Sequence, residues 1–178
     1  LLLVVLLVAG VLGSLALFVV LPGQGLLYRL LMLAGFTLMC GVWVLTILLS
    51  GMKRYKVIVA LFGLSYVLIV ASALLLRPYG LEGLLGGFVL GNYVLLAGMW
   101  LLVVREFNPS GPIIAFDFAR RAMLYPTLMA IGLLYNLGVW IDKFMFWYFP
   151  PTSDAIIGSL RASIIYDLPV FLSYLSII

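Results

Sequence analysis

Histidine is absent from this 178-residue sequence, and cysteine occurs once, at Cys40. Without histidine the chain lacks the commonest metal ligand and the usual general base of enzymes. A single cysteine excludes a disulfide within the chain, and its position in an apolar run is typical of a small packing residue. From these absences we expect no metal site and no cofactor.

Charged residues are also scarce, at 9% of the chain against 66% hydrophobic residues. Soluble proteins carry about a quarter charged residues. A membrane-spanning helix needs about 20 consecutive, mostly apolar residues. Charge-free stretches of this kind cover residues 1–21, 30–52, 57–76, 83–104 and 122–141, and a sixth, 162–178, contains one acid. Because lipid cannot satisfy backbone polar groups, the sequence predicts an all-α, polytopic transmembrane bundle of about six helices.

Both ends of the sequence are apolar, and neither carries the basic flank of a signal peptide. This pattern predicts an internal fragment of a larger membrane protein.

The loops between the predicted helices differ in charge. One set carries Lys53, Arg54, Lys56, Arg105, Arg120 and Arg121, and the other carries Arg29, Arg77 and Arg161. The positive-inside rule therefore predicts that the six-residue set is cytoplasmic. Because orientation explains the net charge of +4, we expect no nucleic-acid partner. Composition changes across the loop at 105–121, which predicts a boundary between two structural halves.

Asp142 and Lys143 are the sharpest functional signal, since they lie in a helix predicted from about Tyr125 to Tyr148. An ionisable residue inside a span indicates a substrate pathway, an ion relay or an ion pair. At 100° per residue, Asp142 lies on one stripe of the helix and Asn136 lies with Lys143 on the next. The alternatives are a structural ion pair and placement at the outer interface, with Lys143 snorkelling to water.

Asp167 and Arg161 are further candidates for the pathway or for ion coupling. Asp167 precedes Pro169, and kinked helices often shape transporter sites. It lies only six residues after Arg161, so a helix-end or ion-pair role is the alternative. Arg161 has three possible acidic partners in Asp154, Asp167 and Asp142, and the sequence does not choose between them.

Gly83, Gly87 and Gly91 form two overlapping G-x-x-x-G units. Small residues at this spacing allow close helix packing, and we expect the neighbouring Asn92 to hydrogen-bond to another helix. No phosphate-binding glycine loop, H-E-x-x-H or G-x-S-x-G motif occurs. The sequence thus predicts a protein that is not an enzyme and has no catalytic residues.

Three segments resemble a known family, the PelG-like inner-membrane exporters of the Pel biofilm polysaccharide. They are LPGQGLLYRLLMLAGF at 21–36, GLLYNLG at 132–138 with Trp140, Asp142-Lys143-Phe144 and Phe146-Trp147, and LRAS at 160–163 with IYDLP at 165–169. These exporters belong to the multidrug/oligosaccharidyl-lipid/polysaccharide (MOP) flippase superfamily.

The resemblance implies about twelve helices in two six-helix bundles around a central cavity. Residues 1–104 would end the first bundle with about four helices, 105–121 would be a cytoplasmic linker, and 122–178 would start the second bundle with about two. The implied function is export of a cationic amino-sugar polymer across the bacterial inner membrane for the biofilm matrix. Asp142 or Asp167 would attract this polymer or bind a coupling proton.

Partners are implied by the same resemblance. They are membrane lipids, the polysaccharide, a cytoplasmic glycosyltransferase and membrane proteins that sense cyclic di-GMP, with 53–56 and 105–121 as the surfaces available to them. A flippase for lipid-linked oligosaccharides and a non-conducting scaffold for a glycosyltransferase are the alternative functions.

Overall fold

The protein is described here by a computed structural model, which describes residues 2–21, 23–106 and 125–176. Within these residues, six α-helices and one short β-hairpin follow one another. They are α1 Leu2–Val20, α2 Leu26–Gly51, α3 Tyr55–Leu76, α4 Gly80–Glu106, α5 Pro126–Tyr148, β1 Asp154–Ile157, β2 Leu160–Ala162 and α6 Ile164–Ser176. The all-α class is therefore confirmed.

Three helical segments of the described residues are long and apolar enough to cross a membrane, namely Leu26–Gly51, Tyr55–Glu106 and Pro126–Tyr148. The second segment, 52 residues long, folds back on itself and supplies both α3 and α4. Leu2–Leu17 and Ile164–Ser173 are shorter apolar helices. The expected number of about six spanning helices is thus too high for this part of the chain, in part because a hairpin delays the start of α6.

The chain divides into two compact units. The first contains α2, α3, α4 and most of α1, and the second contains α5, the hairpin and α6. Of the predicted linker at 105–121, Arg105 and Glu106 continue α4, and the remainder lies outside the described residues. The linker and the bundle boundaries therefore stay predictions.

The first unit is organised around the antiparallel pair α3 and α4. A 3-10 turn at Arg77–Tyr79 leads to Gly80, whose φ of +68° reverses the chain, a conformation that glycine adopts without steric cost. Val42, Leu45 and Leu49 of α2 pack with Ile58, Leu95 and Met99 into a buried cluster. The three helices therefore share one core.

Helix α2 ends in a Schellman motif, with Lys53 at the position that glycine usually takes. The Lys53 N–H donates to the Ser50 carbonyl at 3.0 Å, and the Arg54 N–H donates to the Leu49 carbonyl at 3.3 Å. Lys53 has a φ of +59°. For a residue with a side chain, this left-handed conformation costs roughly 1–2 kcal/mol.

In the second unit, α5 begins with Pro126 in its first turn, where the missing N–H removes no helical hydrogen bond. It ends at Tyr148, before Phe149 and two prolines. The expected helix from about Tyr125 to Tyr148 therefore agrees with the structure.

The segment that follows α5 is more structured than the expected loop. Strands β1 and β2 pair antiparallel, with Asp154 opposite Ala162 and Ile157 opposite Leu160. Gly158, with a φ of +58°, turns the chain between them. The predicted stretch 162–178 is thus wrong at its start, because Ala162 belongs to a strand and the helix begins at Ile164.

Candidate functional site

Helix α5 carries Asp142, Asn136 and Lys143 near its middle and its C-terminal half. None of the α5 residues is buried within the described structure. Asp142 is exposed, and among the described residues it makes no hydrogen bond or ion pair. Asn136 is also exposed, and its Nδ2 donates to the Gly132 carbonyl of its own helix at 2.8 Å. Two polar side chains of a candidate span are therefore not engaged by another helix of the described chain.

Lys143 lies against an aromatic ring and not against Asp142. Its Nζ is 4.4 Å from the centroid of the Trp140 ring, a cation–π contact. Trp140, Phe144 and Trp147 continue as a row, with neighbouring ring centroids 6.3 Å apart. Because consecutive residues are 100° apart on a helix, Lys143 and Asp142 point in different directions, and no ion pair between them is present in the described residues.

Asp167 lies in the first turn of α6 and connects that helix to α5. Its carboxylate accepts the Trp147 indole N–H at 3.0–3.1 Å and the Ser163 backbone N–H at 2.9 Å. The carboxylate thereby satisfies one backbone donor at the start of the helix. Phe146 stacks on Tyr166 beside these bonds, with centroids 4.8 Å apart. Asp167 is thus anchored in the contact between α5 and α6.

Ser163, immediately before α6, is completely buried. Its Oγ is, within the described ranges, the buried side-chain polar atom without a hydrogen-bond partner. A serine hydroxyl at this position usually accepts from a backbone N–H of the first turn. Here the bond runs in the other direction, from the Ser163 backbone N–H to the Asp167 carboxylate, and the Ser163 hydroxyl has no partner in the described residues.

Arg161 takes none of the three acidic partners that the sequence allowed. Its guanidinium donates to Ser153 through Nε to Oγ and through Nη2 to the carbonyl at 3.2 Å. Over residues 2–21, 23–106 and 125–176, the ion pair present is Arg54 with Glu106, in the first unit. The structure therefore brings together Asp167 and Trp147, but it does not bring Arg161 to Asp142, Asp154 or Asp167.

Gly83, Gly87 and Gly91 are buried on the face of α4 that packs against α3. A Cβ at Gly87 would lie 2.6 Å from the Ala73 nitrogen, and one at Gly83 would overlap the Leu76 carbonyl. The close approach permits hydrogen bonds between helices. Ser65 Oγ donates to the Gly91 carbonyl at 2.8 Å, and Ser72 Oγ donates to the Gly87 carbonyl at 3.1 Å.

A groove between α2, α3 and α4 was not identified from the sequence. Its volume is about 320 Å³, at the lower end of the roughly 300–1,000 Å³ of small-ligand sites. Asn92, 8% exposed, lines the groove and donates to the Phe88 carbonyl of its own helix at 2.9 Å. The expected bond from Asn92 to another helix is therefore absent among the described residues. Aromatic side chains line the groove, namely Trp43, Phe62, Tyr66 and Phe88.

Two features of the described residues are candidates for a functional role, the exposed polar side chains of α5 and the groove of the first unit. No group of three or more His, Cys, Asp or Glu side chains in the described part of the chain could hold a metal ion.

The sequence matches one protein family along its whole length. The family is PelG, "Putative exopolysaccharide Exporter (EPS-E)", and the match covers residues 1–178. No curated protein and no solved structure gives a significant match. Members of an exporter family reside in membranes, in agreement with the candidate spans in α2 to α5. This chain belongs to the PelG family of exopolysaccharide exporters.

Proposed function

We propose that this chain helps to move a cationic amino-sugar polymer of the Pel type across the bacterial inner membrane for the biofilm matrix. In this proposal the protein crosses the membrane several times and performs no chemistry on the polymer. The two-bundle arrangement of the MOP flippases, with 105–121 as a cytoplasmic linker, is part of the same proposal.

Asp142 is the observation that carries the proposal. An acid at the centre of a spanning helix costs about 2.5–3.5 kcal/mol in lipid. Asp142 lies six residues before the end of α5 at Tyr148, between the centre of the span and its end, so its cost is a fraction of that value. Asp142 is exposed on α5 and has no partner among the described residues. The side chain therefore requires protein or water beside it in the membrane, and a hydrated export pathway supplies the water.

The neighbouring side chains favour a free carboxylate. In a non-conducting scaffold, Asp142 and Lys143 are expected to form a satisfied pair facing another helix. Lys143 instead lies over the Trp140 ring. The Asp142 carboxylate thus remains available to attract protonated amines of a passing polymer or to bind a coupling proton, through the attraction of opposite charges in a medium of low polarity.

Partner proteins complete the proposal. A polymer that is exported during synthesis needs a cytoplasmic glycosyltransferase beside the exporter, and membrane proteins that sense cyclic di-GMP would regulate the assembly. Asn136 and Arg161 are proposed to contribute to the pathway lining, while Asp167 orients α6 against α5.

The test compares export by the full-length protein and its Asp142→Asn variant in a strain without its own copy. We expect at least a tenfold loss of exported polymer at equal protein levels in the membrane, because the amide removes the charge and keeps the shape. Asp142→Glu, which restores the carboxylate, should recover export.

Asp154→Asn is the matched control. It makes the same chemical change in the second unit, on an exposed strand residue outside the candidate spans. Export is expected to stay at the wild-type level in this variant. Wild-type export by Asp142→Asn would remove Asp142 from the pathway.

A further inference from the structure

A small pocket opens at the end of the first unit where α2 ends, α3 begins and α4 ends. Its volume is about 170 Å³. The wall consists of the apolar side chains Leu49, Met52, Val57 and Leu102, and Arg54, Arg105 and Glu106 line its charged part. The pocket is therefore apolar towards the helices and charged towards the helix ends.

Basic residues line this pocket and lie next to its lining residues in the chain. Lys53 and Lys56 are exposed in the adjoining turn and first turn of α3, and Arg105 is exposed in the last turn of α4. Arg54 pairs with Glu106. Four basic residues against one acid give this helix end a net charge of +3.

Lys53 provides a second, independent observation. It holds the left-handed position of the Schellman motif, with φ at +59°, where glycine is the residue of lowest conformational cost. Its side chain is exposed and, among the described residues, makes no hydrogen bond or ion pair. No contact of the Lys53 side chain in the described residues therefore stabilises the fold, and its ammonium group is available to a ligand.

We propose that this pocket binds an anionic phospholipid. The phosphate is held by Arg105, Lys53 and Lys56, and the start of one acyl chain lies against Leu49, Met52 and Leu102. Basic pockets between membrane helices on the cytoplasmic side suit the headgroups of anionic lipids, and the positive-inside rule assigns this end of the unit to the cytoplasm. A soluble anion would contact the basic side chains but would leave the apolar wall of the pocket without a partner.

The inference is independent of the exported substrate. It concerns how the first unit is held at the inner leaflet, so it stands or falls without reference to Asp142 or to the polymer.

The experiment measures lipid binding to the purified full-length protein by native mass spectrometry and by thermal unfolding in detergent. Phosphatidylglycerol is compared with phosphatidylcholine of the same acyl chains, and glycerol 3-phosphate tests the phosphate without the chains. Arg105→Gln and Lys53→Gly are the variants. Arg77→Gln, which removes a basic residue at the opposite end of α3, is the matched control.

We expect phosphatidylglycerol to bind more tightly than phosphatidylcholine, and glycerol 3-phosphate to bind weakly. Arg105→Gln and Lys53→Gly should each weaken the binding of phosphatidylglycerol about fivefold, since one basic residue near the membrane surface contributes about that factor to binding. Arg77→Gln should bind as the wild type does. The preference should also decline as salt is raised.

Lys53→Gly separates a binding role from a structural one. In phosphatidylcholine this variant should unfold at the wild-type temperature or above it, because glycine relieves the left-handed backbone. A lower unfolding temperature would overturn the inference, as would equal lipid binding by all four proteins or tight binding of glycerol 3-phosphate. Loss of a co-purifying protein with unchanged lipid binding would also overturn it, in favour of a protein interface.

Discussion

Gly87 is the residue at which the contact between α3 and α4 can be tested most directly. Alanine there would add a Cβ 2.6 Å from the Ala73 nitrogen and 2.8 Å from its Cα. Carbon contacts are optimal at about 3.5–4.0 Å, so the two helices would have to move apart by about 1 Å. Both obstructing atoms are backbone, and no side-chain rotation can relieve the overlap.

The expected energy follows from that displacement. Overpacking costs about 1–3 kcal/mol. The Ser72 Oγ bond to the Gly87 carbonyl, now 3.1 Å, would also lengthen beyond hydrogen-bonding distance, which costs about 0.6–1.7 kcal/mol. Alanine recovers about 1 kcal/mol of helix propensity. Together these contributions predict that Gly87→Ala lowers the free energy of unfolding by about 0.6–3.7 kcal/mol.

The assay is reversible unfolding of the full-length protein in mixed micelles, followed by circular dichroism. Gly63→Ala is the control, because Gly63 lies in α3 with nothing within 4 Å of the position that an added methyl group would occupy. That variant should be neutral or more stable by up to about 1 kcal/mol. Gly91→Ala should also destabilise, since its Cβ would overlap Ile69 Cγ1 and lie 3.1 Å from the Ser65 carbonyl oxygen, and a β-branched side chain has little rotamer freedom in a helix.

Equal stability of Gly87→Ala and Gly63→Ala would refute the packing argument. In that case backbone crowding would not distinguish the two sites.

Two other substitutions test contacts that do not involve the glycines at positions 83, 87 and 91. Trp147→Phe keeps an aromatic ring but removes the indole donor to Asp167, and it should lower the free energy of unfolding by about 1–2 kcal/mol; an unchanged denaturation midpoint would contradict this. Glu106→Gln breaks the ion pair with Arg54. The Arg54 side chain is 55% exposed and the Glu106 side chain is 37% exposed. The effect of the substitution should stay below about 1 kcal/mol and fade in high salt, so a larger, salt-independent loss in the same assay would count against a surface pair.

Several features of the fold could be predicted from local sequence. Apolar runs of spanning length identify α2 to α5, since lipid leaves the backbone no alternative to a helix. The hairpin after α5 was missed, although Gly158-Ser159 between two short apolar runs is a recognised two-residue turn signal. Hydropathy outweighed that signal, because the segment continues into an apolar helix.

The candidate site was less predictable. The sequence identified Asp142, Lys143 and Asp167 as unusual, because charge inside an apolar run is visible without a structure. It left the partner of Arg161 open, and Ser153 was not among the options. Serine is uncharged, so the residue types alone gave no reason to pair Ser153 with Arg161.

Composition and matched residues are enough to establish that this protein is helical, resides in a membrane and belongs to an exopolysaccharide exporter family. The three-dimensional packing was needed to show that Asp167 contacts Trp147, that Lys143 lies over Trp140, and that a basic pocket forms where three helix ends meet. Such contacts depend on how helices rotate and approach one another, and a hydrophobic run that satisfies the membrane is compatible with many rotations.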